Sequence, residues 1–294
     1  MRRICLCVLA AVCMLGSTAL AQPADMVNWW KADGDATDSA GSANGTISGS
    51  VAYVPGRYGQ AFDFNGGEVQ CGTSAGNFGT GDFTIAFWVR SPSQSSLLDM
   101  MSKRATCNFG SFFNIQGGAG TNGTGLYIEA YSNTGGANPI LVPTTGMFDD
   151  KWHHVVFRRQ GTSVVTARDG IIIFTYTSSG VTNITNSAIL KFAGGPCVGF
   201  GGRIRYQGFL DDIRFYNRFL SDAELRSFAC ATDMNGDLLV DDADFSIFVG
   251  QYDVLLCSEP TMPFGCVGDF NQDGQVDDTD FTIFTGEYDQ LVCP

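Results

Sequence analysis

The stretch "GFLDDIRFYNRFLSDAEL", Gly208 to Leu225, reads as a strand running into the start of a helix. Side chains alternate faces along a strand, so Phe209, Asp211, Ile213 and Phe215 fall on one side, the apolar one. An aspartate on that side has to be hydrogen-bonded, neutralised or metal-bound, unless it caps a turn or a bulge turns it outward. Ser221 and Glu224, three positions apart, form a capping-box pattern for a helical turn or two.

Upstream, "QAFDF" (60–64), "FTIAFWVR" (83–90), "GLYIEAY" (125–131), "WHHVVFRR" (152–159), "SVVTAR" (163–168) and "IIIFTY" (171–176) are further β-prone runs between glycine-rich turns. That spacing predicts an all-β sandwich or barrel. Asp169-Gly170 supplies a two-residue hairpin signal. The β-rich text stops at about Phe228, and 294 residues suit one large domain plus a small one.

Met1-Arg2-Arg3, the apolar run Ile4 to Leu15 and "STALAQ" read as a secretory signal over 1–21. The run is too short to span a bilayer. The expectation is a secreted chain from Gln22, extracellular or at the cell surface, with no integral membrane span. Seven cysteines follow Gln22, an odd number in an oxidising compartment, so at least one is free or pairs between chains. Cys107 and Cys197, both flanked by loops, are candidates to pair, which leaves Cys71 odd.

Charge divides the chain. Residues 22–226 carry fifteen basic and sixteen acidic residues, whereas 227–294 carry fourteen acidic and no basic ones. Such a tail repels nucleic acid and anionic membranes. It is either disordered or neutralised by something cationic.

The tail repeats itself at an offset of 36 residues, with "CATDMNGDLLVDDADFSIFVGQYDVLLC" matching "CVGDFNQDGQVDDTDFTIFTGEYDQLVC". Aromatics recur in phase, which marks a folded repeat. Each copy sets oxygen ligands at loop positions 1, 3, 5, 9 and 12 with a carbonyl at 7, the EF-hand spacing for calcium. The first set is Asp233, Asn235, Asp237, Leu239, Asp241 and Asp244. The second is Asp269, Asn271, Asp273, Gln275, Asp277 and Asp280. Gly274 holds the sixth position of the second loop, where the chain turns sharply, whereas the first has Leu238 there and is expected to bind more weakly. Phe245, Phe248 and Tyr252, like Phe281, Phe284 and Tyr288, keep one face of a short helix.

This tail resembles a type I dockerin, a module of two calcium loop–helix repeats that docks to cohesins. The resemblance covers Cys230 to Cys293 and implies two calcium ions and a cohesin-like scaffold partner. Positions 10 and 11, which help dockerins choose the partner, are Asp242-Ala243 and Asp278-Thr279 here, without the Ser/Thr pair or later Lys-Arg of many members. The paired cysteines supplement a small core, with Cys230–Cys257 and Cys266–Cys293 the expected bridges and other pairings open.

The larger part resembles the concanavalin A-like, laminin G-like jelly roll. The residues carrying this are "VNWWKADGDATDSAG", "VPGRYGQAFDFNG", "FTIAFWVR", "DKWHHVVFRRQG", "RDG" and "GFLDDIRFYNRFLSDAEL". The resemblance implies a module, usually non-catalytic, that binds carbohydrate or protein, often beside a structural calcium ion. Asp211 on the last strand and Asp33 in the first loop, with Asp35 and Asp38 nearby, are the residues for that ion. Tyr131, Asn133, Asn138 and Tyr206 are the candidates for sugar contact, while Trp29, Trp30, Trp88 and Trp152 sit in apolar patterns and are expected in the core.

Enzymatic chemistry finds little support. Glycosidases need two nearby carboxylates, and this part holds only Glu68, Glu129 and Glu224, with no E-x-D-x-x-E run. His153 and His154, adjacent on a strand, point to opposite faces and cannot share a metal. The domains expected are therefore a signal peptide (1–21), a jelly roll (22–228) and a calcium-loop module (229–294). The expected function is secreted, non-catalytic glycan or ligand binding with calcium-dependent docking. The alternatives are an adhesion protein recognising protein ligands and a divergent glycoside hydrolase or polysaccharide lyase.

Overall fold

Alternating burial along short strands builds two stacked sheets. In this computed structural model the described residues are 25–94, 96–108, 110–118, 125–132, 140–143, 146–235, 239–263, 266–271 and 273–288. The expected signal segment 1–21, and Asn133, Asn138, Asp237, Leu238 and Cys293, lie outside them. The strands are β1 (Met26–Trp30), β2 (Thr46–Ser48), β3 (Val51–Pro55), β4 (Gln60–Phe64), β5 (Glu68–Gln70), β6 (Phe83–Arg90), β7 (Leu98–Lys103) and β8 (Phe112–Gly117). They continue with β9 (Leu126–Tyr131), β10 (Ile140–Pro143), β11 (His153–Gln160), β12 (Ser163–Arg168), β13 (Ile171–Thr177), β14 (Leu190–Phe192), β15 (Ile204–Arg205) and β16 (Gly208–Tyr216). Among the described residues three helices follow: α1 (Asp222–Ala229), α2 (Asp242–Tyr252) and α3 (Asp278–Tyr288).

The first sheet runs β13-β12-β11-β6-β16-β4-β3, with β1 also on β16; the second runs β10-β9-β8-β7-β14-β5-β2, with β15 parallel to β7. This is the expected all-β jelly-roll sandwich. Between the sheets lie Phe62, Phe83, Ile85, Phe87, Phe157 and Phe215 from one and Val69, Met101, Phe113, Ile128 and Phe192 from the other. Strand β9 shows the period clearly: Leu126, Ile128 and Ala130 are buried in the core, while Tyr127, Glu129 and Tyr131 are half-buried on the other face. The opposite face of the first sheet is covered as well. Ala86, Val156 and Tyr216 pack there against Leu220 and against Leu225 of α1. Ser221 and Glu224 form the capping box that starts this helix.

The last strand takes one of the two courses that the sequence leaves open. A bulge falls between Asp211 and Arg214, with Asp212 at φ +50°. It breaks the parity, so Leu210, Ile213 and Phe215 enter the core. Asp211 pairs with Trp88 across the strands and its carboxylate reaches the turn after β3.

Past residue 230 a separate apolar cluster holds Cys230, Val240, Phe248, Cys266, Phe270, Val276 and Phe284. Helices α2 and α3 stand where the aromatic spacing put them. The expected bridges do not form: Cys257 joins Cys266, across a Cα–Cα distance of 5.3 Å, and Cys230 is disulfide-bonded otherwise. The reason lies in the path after α2, where the backbone at 255–257 pairs with 274–276 and brings Cys257 against the second loop. Cys107–Cys197 forms as expected, and Cys71 is a free, buried thiol.

Candidate functional site

The outer face of the second sheet carries a polar row. From β8, Gln116 donates to Glu129 of β9 at 2.9 Å, and Arg104 donates to the same carboxylate at 3.2 Å while its guanidinium covers Phe112 at 3.8 Å. Arg203 donates to Gln116 and stands 3.5 Å from Asp99 of β7. Phe112 and Tyr131, cross-strand partners, stack with centroids 6.0 Å apart. The segment after β14 lies over part of this row, held by the Cys107–Cys197 bridge. Beneath it Gly195 has no room for a side chain, since a Cβ would meet Asp99 Oδ2 at 2.8 Å. Asp99 Oδ2, Ser102 Oγ and Asn114 Oδ1 are buried there without a hydrogen-bond partner.

Of the residues expected to touch sugar, Tyr131 belongs to this face. Tyr206 does not: it is fully buried, and its hydroxyl donates to the carbonyls of Arg90 and Phe209. Its "IRYQG" setting looks like a loop, but the ring fills the core between Phe64 and Phe148. Two tryptophans are also displaced from expectation. Trp30 is core, whereas Trp29 and Trp152 are half-buried at the surface, Trp29 donating to Asp212 at 2.5 Å.

The two glutamates of the second sheet do not form a hydrolytic pair. Glu68 on β5 and Glu129 on β9 are four strand spacings apart, about 19 Å, well beyond the roughly 5–9.5 Å of a glycosidase pair. Glu68 is held by Lys191 at 2.7 Å and by Arg205.

Asp33 and Asp211 meet the same turn. Asp33 accepts from the Gln60 amide at 2.8 Å, and Asp211 Oδ2 accepts from Arg57 and Tyr58 at 2.7 and 3.0 Å. Burial, then the charge of Asp212, pushes both carboxyls above the usual range, Asp211 strongly. The second oxygen of Asp211 is buried without a partner. Asp35 and Asp38 are engaged by backbone amides of their own loop.

In the second acidic loop the side chains turn inward. Asp269 accepts from the amides of Asp273 and Gly274, Asp273 from that of Gln275, and Asp280 from those of Phe270, Asn271 and Asp277. Gly274 sits at φ +92°, as the sharp turn requires. Asp269 is pushed up to about 6 by burial, with the charges of Asp280 and Asp273 adding to it. In the first loop Asp241 and Asp244 form the capping box of α2, and Asp244 accepts from Met234 and Asn235. Hence positions 9 and 12 of both loops also serve as helix caps. Among the described residues the one trio of metal-capable side chains within 4.8 Å is Cys257, Cys266 and Asp269. Two of these are joined in a disulfide, which removes them as thiolate ligands.

The family described as the concanavalin A-like lectin/glucanases superfamily matches residues 64–226. Among solved structures, the chain is similar to the binding domain of Paraclostridial Mosquitocidal Protein 1, with TM-score 0.56 and 18% identity over 70% of this chain and 52% of that one. It is similar also to domain 4 of AbnA, a GH43 extracellular arabinanase from Geobacillus stearothermophilus solved with arabinotriose, at TM-score 0.52 and 15% identity over 70% and 98%. The binding domain of botulinum neurotoxin DC in complex with SialylT gives TM-score 0.52 and 15% identity over 70% and 51%. The chain spans about half the length of the two toxin domains. At these identities the likeness shows the fold. No curated protein matches the sequence, and no helix among the described residues is long and apolar enough to cross a membrane.

Proposed function

The chain belongs to the concanavalin A-like lectin/glucanase superfamily, and on that premise we propose that it is a secreted, non-catalytic binding protein whose sandwich recognises a glycan. The observation that carries this is the row Arg104–Glu129–Gln116–Arg203 beside the Tyr131 ring. Forked guanidinium and amide groups next to an aromatic face match the paired hydroxyls and apolar CH face of a sugar. Domain 4 of the arabinanase, solved with arabinotriose, supports the ligand class.

In the same reading residues 229–294 form a calcium-loaded, dockerin-like module that docks the protein to a cohesin-like scaffold. Hard-oxygen donors at the loop spacing, and a positive-φ glycine at the turning position, fit calcium. Bound calcium would offset the repulsion among Asp269, Asp273 and Asp280. The orphaned oxygen of Asp211, with Asp33 across the turn, fits a further structural ion in the sandwich.

The test is glycan-array binding by the intact protein, followed by Tyr131→Ala and Gln116→Ala. Binding to a defined glycan class, reduced at least tenfold by either change, supports the reading. A blank array, or variants that bind undiminished, rejects the site. Capture by immobilised cohesins only when calcium is present would establish docking, and no capture across a broad panel would reject it.

A further inference from the structure

A cavity of about 500 Å³ opens at the other sheet, between the end of β6 and β11 and the residues past 230. Trp152, Trp88, Arg90 and Lys151 line it from the sandwich, and Cys230, Val240 and Glu287 close it from the C-terminal side. Its volume is that of a small-molecule pocket. Trp152 is half-buried and rests against Phe209 at 6.3 Å, so part of its ring stays available as an apolar platform.

Most charges in the wall are paired locally, the exposed Lys151 apart. Arg57 stacks on Trp88 at 4.7 Å and pairs with Glu287. Arg90 binds Asp150 at 3.1 Å. The His153 ring bridges Asp169 and Asp149 at 2.8 and 3.0 Å. An ionic ligand would either break one of these pairs and leave the former partner uncompensated in a partly desolvated site, or pair with Lys151 alone, which is exposed and gains little from an ion pair in water. A neutral polyol breaks none. Its hydroxyls can donate to the spare lone pairs of Asp149 and Asp150 and accept from Lys151 and Arg90, while one ring face lies on Trp152.

We propose that this cavity is a second ligand site, taking a neutral sugar unit at the end of a glycan. With Cys230, Val240 and Glu287 along its C-terminal side, the cavity suits a terminal unit better than the middle of a chain. The choice of a saccharide rests on the carbohydrate reading above, but the site, the neutrality and the residues are independent of the row on the second sheet.

The experiment uses the full chain with neutral monosaccharides and disaccharides (glucose, galactose, xylose, arabinose, cellobiose), and glucuronate as the charged control. Binding is followed by calorimetry and tryptophan fluorescence. Expected is saturable binding of at least one neutral sugar, weaker by tenfold or more for glucuronate. Trp152→Ala lowers the affinity at least tenfold, Trp152→Phe restores most of it, and Tyr131→Ala leaves it unchanged. The proposal is overturned if no neutral sugar binds at millimolar concentration, if glucuronate binds equally well, or if Trp152→Ala binds like the parent. If Tyr131→Ala abolishes the binding instead, the sugar lies on the second sheet, so this proposal fails while the proposed function stands.

Discussion

The Tyr252 hydroxyl donates to Asp278 at 2.5 Å, and the Tyr288 hydroxyl donates in turn to Asp242. Each tyrosine ends one helix and reaches the first residue of the other, so the two repeats are tied crosswise. Thr232 and Gly268 repeat the pattern, donating to Glu287 and Gln251 of the opposite helices. The aspartates at loop position 10, which the dockerin resemblance assigns to partner choice, are thus engaged within the chain. The bond to Asp278 raises the Tyr252 phenol above its ordinary value. Below pH 10 the bond is present, and it is lost as the pH rises through the raised value. Absorbance titration should show one fewer late-ionising phenol in Tyr252→Phe than in the parent, with a lower melting temperature for the tail. An unaltered titration would contradict the crosswise tie.

The two histidines pull the pH profile in opposite directions. Burial against Trp88 and Phe228 pushes His154 down to about 3. It folds neutral while the unfolded chain takes a proton near 6.5, so its contribution is full above that value and falls as the pH drops. The slope approaches about 1.4 kcal/mol per pH unit for one proton. His153 is raised through its bond to Asp169, so its contribution is full below about 6.5 and is lost as the pH rises through the folded value. Melting curves between pH 7 and 5 should therefore fall less steeply in His154→Gln than in the parent. His153→Gln should cost more at pH 6 than at pH 9.

The strands were legible because burial follows a period of two: "LYIEAY" places Leu126, Ile128 and Ala130 inward as written. "FTIAFWVR" is buried on both faces, and no alternation could reveal that α1 covers the second. The side taken by Asp211 was left open between the apolar face and a bulge, because nothing in "LDDIR" announces the residue at positive φ that inverts the parity. Trp152 was read as core because it adjoins an apolar run, but it precedes β11 and sits at the cavity. The cysteine pairing depends on how the chain returns after α2, a tertiary fact that the 36-residue offset does not encode.

That pairing is directly measurable. Peptide mapping without reduction should recover Cys107 linked to Cys197 and Cys257 linked to Cys266. Cys71 should resist thiol reagents until the chain is denatured, since burial both shields it and raises its thiol well above the ordinary value. A Cys230–Cys257 peptide would overturn the assignment.

Asp211 separates a turn clamp from a metal ligand. Asp211→Ala strips two amides of their acceptor and should destabilise the sandwich by about 2 kcal/mol or more. Asp211→Asn keeps an acceptor for both amides and removes the repulsion from Asp212, so it should cost little in metal-free buffer. If calcium binds beside Asp33, the parent gains melting temperature on calcium addition and Asp211→Asn loses that part of the gain. Identical calcium responses would assign Asp211 to the turn alone.

The acidic tail should depend on a divalent ion for its stability, and its two loops should depend unequally. Fourteen acidic and no basic residues follow position 226, so without a cation the loop carboxylates repel one another. Chelation with EDTA should lower the melting temperature of the tail, and calcium should restore it. Gly274 takes φ +92° at the turning position without strain, whereas a leucine forced into left-handed geometry costs roughly 1–2 kcal/mol. The second loop should accordingly bind the ion more tightly, so Asp273→Ala should reduce the calcium-dependent gain more than Asp237→Ala. Equal losses would contradict the ranking, and a tail whose melting is indifferent to both chelator and calcium would remove the metal from it altogether.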